Sequence, residues 1–273
     1  MTPIEYIELL LWPFLFCVAL ISMYVYLGLH IVKRGVIFVD LALAQMAAVG
    51  VTIGTLLGFD ERDVTSYLLA FGAAVVGSVI FTLTRSLNSR IPQEAVIGVV
   101  YAVGSAAVIV LVSHSPEGAE HVRHLLAGAL LTVSAGETAR VAALFAALAL
   151  FHWIFRSRFL ELTFKGTTKQ ARLWDFLFYA TFALSVTATV RTSGVLLIFI
   201  FLVGPALAAA FIGGSVRRSL ALGWTFGIVG SVLGLTASVV FDTPPGATLV
   251  CGFGVIIALS AVAPFLLPGG RRN

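Results

Sequence analysis

The sequence predicts an all-α polytopic integral membrane protein, with about eight to nine transmembrane helices and a short extracytoplasmic helix, re-entrant or interfacial. Three observations predict it. The 273 residues are 59% hydrophobic and only 11% charged. Mean hydropathy is +1.04, far above that of soluble domains. The apolar residues come in continuous runs of about 20, the length a helix needs to cross hydrocarbon, and not in alternation. Lipid offers no water to backbone N–H and C=O groups, so helices, which pair those groups internally, suit such runs.

The first run, 9–32, follows the acids Glu5 and Glu8 and ends at Lys33-Arg34. It lacks a basic leader and a small-residue cleavage site and reads as a retained span. Further spans are predicted over 36–58, 65–86, 95–113, 139–155, 174–190, 193–213, 219–241 and 246–267. The turn at Arg191-Thr-Ser-Gly194 is so short that 174–213 reads as two spans or as broken, partly re-entrant helices; both eight and nine crossings stay open. Residues 121–134, HVRHLLAGALLTVS, are too short to cross and supply the extracytoplasmic helix. No connection is long enough to be a soluble domain, so 1–273 reads as a single transmembrane domain.

Threading the spans alternately from an outside N-terminus puts Lys33, Arg34, Arg85, Arg90, Arg156, Arg158, Lys165, Lys169, Arg172, Arg217, Arg218, Arg271 and Arg272 inside. Only Arg62, Arg123, Arg140 and Arg191 fall outside, where Asp60, Glu61, Asp63, Glu117, Glu120, Glu137 and Asp242 collect. Both asymmetries point to N-terminus out and C-terminus cytoplasmic. The net charge of +4 follows this placement, and no nucleic-acid partner is expected. The longest and most basic inside connection is 156–173, RSRFLELTFKGTTKQARL. It is an ordinary positively charged loop or a docking element for a cytosolic partner.

Chemistry-bearing residues are few. GxxxxGK[ST] is absent, so this chain carries no P-loop and ATP energy would come from a partner. Cys17 and Cys251 lie far apart in apolar runs and read as small hydrophobes, and no cofactor is expected. Asp40 and Gln45 interrupt VDLALAQMAAVG in the second span. On a helix Asp40 shares a face with Ala44, Ala47 and Val51, while Gln45 shares one with Leu41, Ala48 and Thr52. Either these polar groups cap and pack, or they line a permeation path. Met46 beside them reads as core.

In SHSPEGAEHVRHLL, His114, Glu117, Glu120, His121 and His124 put Glu-His pairs four apart, a spacing that offers N and O ligands to a divalent cation or forms surface ion pairs. His30 and His152 sit near inside span ends, where snorkelling is expected. Glu94 opens the fourth span, where the macrodipole favours acid. Gly204-Pro205 interrupts the seventh, as a passive kink or a gate that exposes carbonyls. DTPPGATLV predicts a tight outside turn with proline at a helix start.

The order of these pieces resembles the ABC-type metal-ion permease family, the membrane subunits of zinc, manganese and iron importers. The resemblance runs from about Lys33 to Leu266. It is carried by KRGVIFVDLALAQMAAVGVTIGTLLG, QEAVIGVVYAVGSAAVIVLVS, HLLAGALLTVS, RTSGVLLIFIFLVGPALAAAFIG and DTPPGATLVCGFGVIIALS, in that order. It implies a bacterial inner-membrane permease for a divalent metal, zinc or manganese first. Its implied partners are a cytosolic ABC ATPase subunit, an extracytoplasmic metal-binding protein, a second copy of the permease and the membrane lipid. Asp40, Gln45, Thr52, Gly204 and Pro205 would form the substrate path, and Glu161, Lys165, Lys169 and Arg172 the ATPase-contact loop.

Two departures stand out. The family's Gly-Asp-Ala-Leu-Ala-His places an acid and a histidine four apart. Anchored on Asp40, this chain has Ala44 in the histidine position; anchored on Gly50, it has Gln45 there and Leu41 in place of the acid. The family's Phe-Asp-Pro-Glu-like inside pattern is replaced by FLELTFKG. An ion-coupled secondary transporter with Asp40 as proton site, and an ABC permease for a metal chelate such as a siderophore or cobalamin, are the alternatives.

Overall fold

A computed structural model describes residues 3–60, 63–85, 91–113, 128–166 and 170–266, with side chains from residue 9 to 262 within those ranges. The helices are α1 (Pro3–Arg34), α2 (Val39–Leu56), α3 (Val64–Arg85), α4 (Gln93–Val112), α5 (Ala135–Ile154), α6 (Arg156–Phe164), α7 (Ala171–Ser193), α8 (Val195–Ile212), α9 (Val216–Val240) and α10 (Pro245–Leu266). All but α6 are long and apolar enough to cross a membrane, giving nine candidate spans among the described residues. The short turn at 191–194 therefore joins two spans: Gly194 alone separates α7 from α8, with φ 74°, a conformation that costs glycine little.

One expectation changes and another falls largely outside the described residues. The described part of 121–134 is a single 3-10 turn, Leu130–Thr132, and residues 121–127 lie outside the described residues. The 156–173 connection is not simply a loop, because α6 takes up its first half. The proline expectation holds at α10, which begins at Pro245.

The described residues cluster into two compact units. One comprises Met1–Val32, Ala127–Ala147 and Thr192–Asn273. There α8, α9 and α10 pack against one another, and Phe201 meets Phe253 edge-on at 5.4 Å between ring centres. A Cβ at Gly28 of α1 would collide with the Leu202 carbonyl of α8, so two backbones touch where only glycine fits. The segment 128–134 is tied down by Ala129 N–H donating to the Thr192 carbonyl at 2.8 Å. Thr192 also donates to Glu137 in the first turn of α5.

The other unit comprises Lys33–Leu126 and Leu148–Arg191. Here α2 is central, against both α3 and α4. Gly50 makes that approach possible: an added Cβ would lie 2.6 Å from the Ala70 Cα, closer than any carbon contact allows. Met46 packs toward Gly77 of α3, within 3.3 Å of a Cβ there, as a core methionine does.

Candidate substrate path and cytoplasmic hub

Asp40 is the second residue of α2, at the end whose dipole favours an acid. It is only 1% exposed, and neither carboxylate oxygen has a hydrogen-bond partner among the described residues. Its helix neighbours Ala44 and Ala47 are equally buried and bring no polar side chain to that face. An ionised acid costs about 2.5–3.5 kcal/mol at the centre of a membrane helix on insertion scales, and less toward the helix end where Asp40 stands.

Glu94, in the first turn of α4, lies near enough for its charge to act on Asp40. One Glu94 oxygen accepts from the Phe38 amide at 3.0 Å, fastening α4 to the turn that opens α2. Its other oxygen is buried without a partner among the described residues. Sequence reading assigned Glu94 to helix-start stabilisation; the fold adds a second carboxylate beside the first. The only hint in the chain is that both acids open apolar spans. Two acids at neighbouring helix starts repel each other, and a cation shared between them removes that cost.

The other predicted path residues are placed differently. Gln45 is 9% exposed and faces α4, where a Cβ on Gly104 would stand 3.1 Å from its own Cβ. Thr52 is buried and its hydroxyl bonds back to the Ala48 carbonyl at 2.8 Å. Gly204 and Pro205 are buried in α8, which runs unbroken through them. The predicted interruption is thus a change of hydrogen bonding, not of helix: Pro205 has no N–H to give the Phe201 carbonyl. Asp40, Gln45 and Thr52 share α2, and Gly204 and Pro205 belong to the other unit. His114, Glu117, Glu120, His121 and His124 lie outside the described residues. Among the described residues no group of three or more His, Cys, Asp or Glu could hold a metal.

A second charged site lies at other helix ends of the same unit. Asp175 of α7, 4% exposed, takes Arg34, the last residue of α1, at 3.1 Å. It also pairs closely with Arg85, the last residue of α3. Both arginines thus sit at helix C-termini, where the macrodipoles favour cations, while the acid stands just past the first turn of α7. The face of Arg34 lies over the Phe178 ring at 3.9 Å, a cation–π contact suited to a buried guanidinium.

Both arginines also hold α6. Arg34 Nε donates to Thr163 Oγ1 at 2.9 Å, and Arg85 Nη2 donates to the Leu162 carbonyl at 3.2 Å. On its apolar side Phe159 is fully buried, stacked on His152 at 4.2 Å and edge-on to Trp174 at 5.6 Å. Gln93, at the start of α4, bonds Tyr179 of α7 at 3.1 Å.

His152 and His30 are both buried, which corrects the snorkelling expectation. The His152 ring sits 2.9 Å from Thr181 Oγ1, and a polar partner inside removes the need to reach the interface. Of the predicted ATPase-contact residues, Lys165 and Arg172 are exposed and Glu161 is half-buried, while Lys169 lies outside the described residues. Asp175 escaped sequence reading. It stands one residue inside a predicted span, and its partners were counted only as inside positive charges.

Nine long apolar helices among the described residues, with buried acids opening two of them and a charge hub gathering other helix ends, define a polytopic helical membrane protein. The chain belongs to the ABC 3 transport family, whose profile matches residues 6–263.

Its relatives include the manganese transport system membrane protein MntC of Halalkalibacterium halodurans, 25% identical over 242 residues that cover 86% of this chain and 80% of the relative. Another is the manganese import system permease protein ScaB of Streptococcus parasanguinis, 22% identical over 251 residues, covering 90% of this chain and 86% of ScaB. Among solved structures, PsaBC from Streptococcus pneumoniae in complex with a Fab superposes with a TM-score of 0.77 at 24% identity, over 95% of each chain. That likeness shows the fold.

Proposed function

We propose that this chain is the permease subunit of an ATP-binding-cassette importer that moves a divalent metal ion across a bacterial inner membrane. The carrying observation is the Asp40 carboxylate, buried among alanines without a hydrogen-bond partner among the described residues, with the Glu94 carboxylate fastened to the Phe38 amide two residues before it. Such an arrangement is costly at rest and becomes favourable when a cation arrives. A carrier needs that property at a transit point, because the ion must bind and then leave. Membership of a transport family and relatives named for manganese support the same reading.

The donors that α2 and α4 offer are oxygens: the carboxylates of Asp40 and Glu94, and the Gln45 amide farther along α2. Oxygen sets suit manganese better than zinc, which prefers imidazole or thiolate. The position that holds histidine in the family motif is Ala44 or Gln45 here, so manganese is the cargo this path fits best. Thr52, Gly204 and Pro205 complete the proposed path, Pro205 by leaving the Phe201 carbonyl without its helix donor. His114, Glu117, Glu120, His121 and His124 would gather metal outside.

A cytosolic ABC ATPase would supply the energy through α6 and the following Lys165, Lys169 and Arg172, so the permease itself catalyses nothing. An extracytoplasmic metal-binding protein would deliver the ion, and a second copy of the chain would complete a homodimeric permease. Within one unit, the ends of α1 and α3 meet the starts of α4 and α7, which supports alternate threading and, with the positive charges at those ends, an outside N-terminus.

The test is uptake of manganese, zinc and iron into proteoliposomes holding the permease and its ATPase. ATP-dependent manganese accumulation is expected, falling at least about tenfold for Asp40→Asn, since loss even of an outer-shell partner of a metal ligand typically costs about 10–100-fold. Uptake that persists without the ATPase and collapses with an uncoupler would overturn the reading.

A further inference from the structure

We propose that Asp175 is a positioning residue for energy coupling: it gathers Arg34 and Arg85 into a clamp that holds α6 rigidly to the ends of α1, α3 and α7. This rests on the reading of α6 as the ATPase contact.

Three features carry it. First, every arm of the clamp does two jobs. Arg34 joins Asp175 to Thr163, and Arg85 joins Asp175 to the Leu162 carbonyl. Both α6 anchors are adjacent residues on its buried side, so the acid fixes the helix at one point through two guanidinium groups. A planar fork with donors on several nitrogens holds an acid and a second acceptor at once in a fixed geometry, where a lysine offers only a rotatable point charge.

Second, the Arg34 arm of the clamp is dry. The side chains of Arg34 and Asp175 are 3% and 5% exposed, so water cannot substitute for a lost partner there. Arg34 without the acid is left as a buried charge with no counterion in the clamp, whereas Arg85 is half-buried and keeps access to water.

Third, the polar contacts of the clamp differ in kind from the apolar anchor of α6. Its other buried anchor, Phe159, is held by ring contacts, which resist removal but tolerate sliding and rotation. Ser157, Arg158 and Lys165 are exposed on it, leaving a polar surface for a partner. A partner that pushes on that surface moves the helix ends above only if α6 is locked to them. A packed contact that slides dissipates the push; directional ion pairs at three helix ends transmit it.

The experiment uses the permease purified with its ATPase. Ser157→Cys in a Cys251→Ser background carries a spin label on the exposed start of α6, and manganese uptake and ATP hydrolysis are measured in the same proteoliposomes. Asp175→Asn is expected to mobilise the label and to lower manganese moved per ATP by at least about fivefold, the lower end of ordinary coupling energies, while the ATPase stays bound and hydrolyses ATP. Asp175→Glu, which keeps the charge, should recover most of that ratio, a rescue that packing alone does not predict. Arg85→Gln removes one arm and serves if Asp175→Asn fails to assemble.

An immobile label with a wild-type ratio in Asp175→Asn overturns the clamp, as does a glutamate variant no better than asparagine. A wild-type complex that hydrolyses ATP without moving manganese overturns the transport reading, and the coupling role with it. Normal wild-type transport beside an unaltered variant overturns the clamp alone.

Discussion

Two buried acids in one unit, Asp40 and Asp175, are treated in opposite ways. Asp175 lies between two guanidinium groups drawn from the ends of α1 and α3. Asp40 has no hydrogen-bond partner among the described residues, and the Glu94 carboxylate is fastened to the Phe38 amide two residues before it. Asp40 stands in the first turn of α2 and Asp175 past the first turn of α7, so the dipole would favour the unpaired acid and not the paired one. What separates them is whether the fold supplies its own counterion. A compensated acid fixes structure, whereas an uncompensated one waits for a cation from elsewhere.

The largest break in this comparison comes from truncating each acid. Asp175→Ala leaves the buried Arg34 and the half-buried Arg85 without their counterion and is expected to cost about 3–5 kcal/mol, read as a clear drop in detergent melting temperature. Asp40→Ala removes a buried carboxyl that has no hydrogen-bond partner among the described residues, so the melting temperature should hold or rise while uptake is lost. Equal destabilisation by both would erase the distinction.

Gly50→Ala comes next. Its Cβ would meet the Ala70 backbone at 2.6 Å, and forcing α3 away is expected to cost about 1–3 kcal/mol, with uptake reduced because Asp40 rides on the same helix. A wild-type melting temperature would mean the helices have room to part.

Glu94→Gln is milder still. Its amide oxygen can keep the Phe38 amide bond, so stability should change by about 1 kcal/mol or less, while apparent manganese affinity falls less than in Asp40→Asn. An affinity loss equal to that of Asp40→Asn would make the two acids equal ligands.

The smallest expected effect is a change of preference. Gln45→His restores an imidazole near the family position and should shift competition uptake from manganese toward zinc, with little change in melting temperature. An unchanged preference would remove Gln45 from the path.

Much of the architecture was legible in the chain. Nine apolar runs correspond to nine long helices, and Pro245 opens α10 as its position in DTPPGATLV suggests. Asp40 was visible because a carboxylate in an apolar run is an anomaly at any register. Asp175 was not, since an acid near a span end is ordinary and its meaning lies in residues 141 and 90 positions away. Glu94 is legible as a helix-start acid, and that role is real; only packing brings it to the turn that opens α2. The histidines were misplaced because hydropathy places a span end at the interface without revealing that His152 lies against Phe159 and Thr181. Gly204-Pro205 suggested a break, yet α8 passes through it, because neighbouring turns hold a helix that lacks one hydrogen bond.

By itself the sequence determined which segments enter the membrane and where positive charge collects, because transfer of a run of side chains to lipid is a sum over residues and needs no partner. Tertiary structure decided which charges are neutralised. A salt bridge depends on two groups meeting within a few ångströms, and that meeting is a property of packed helices and not of any run along the chain.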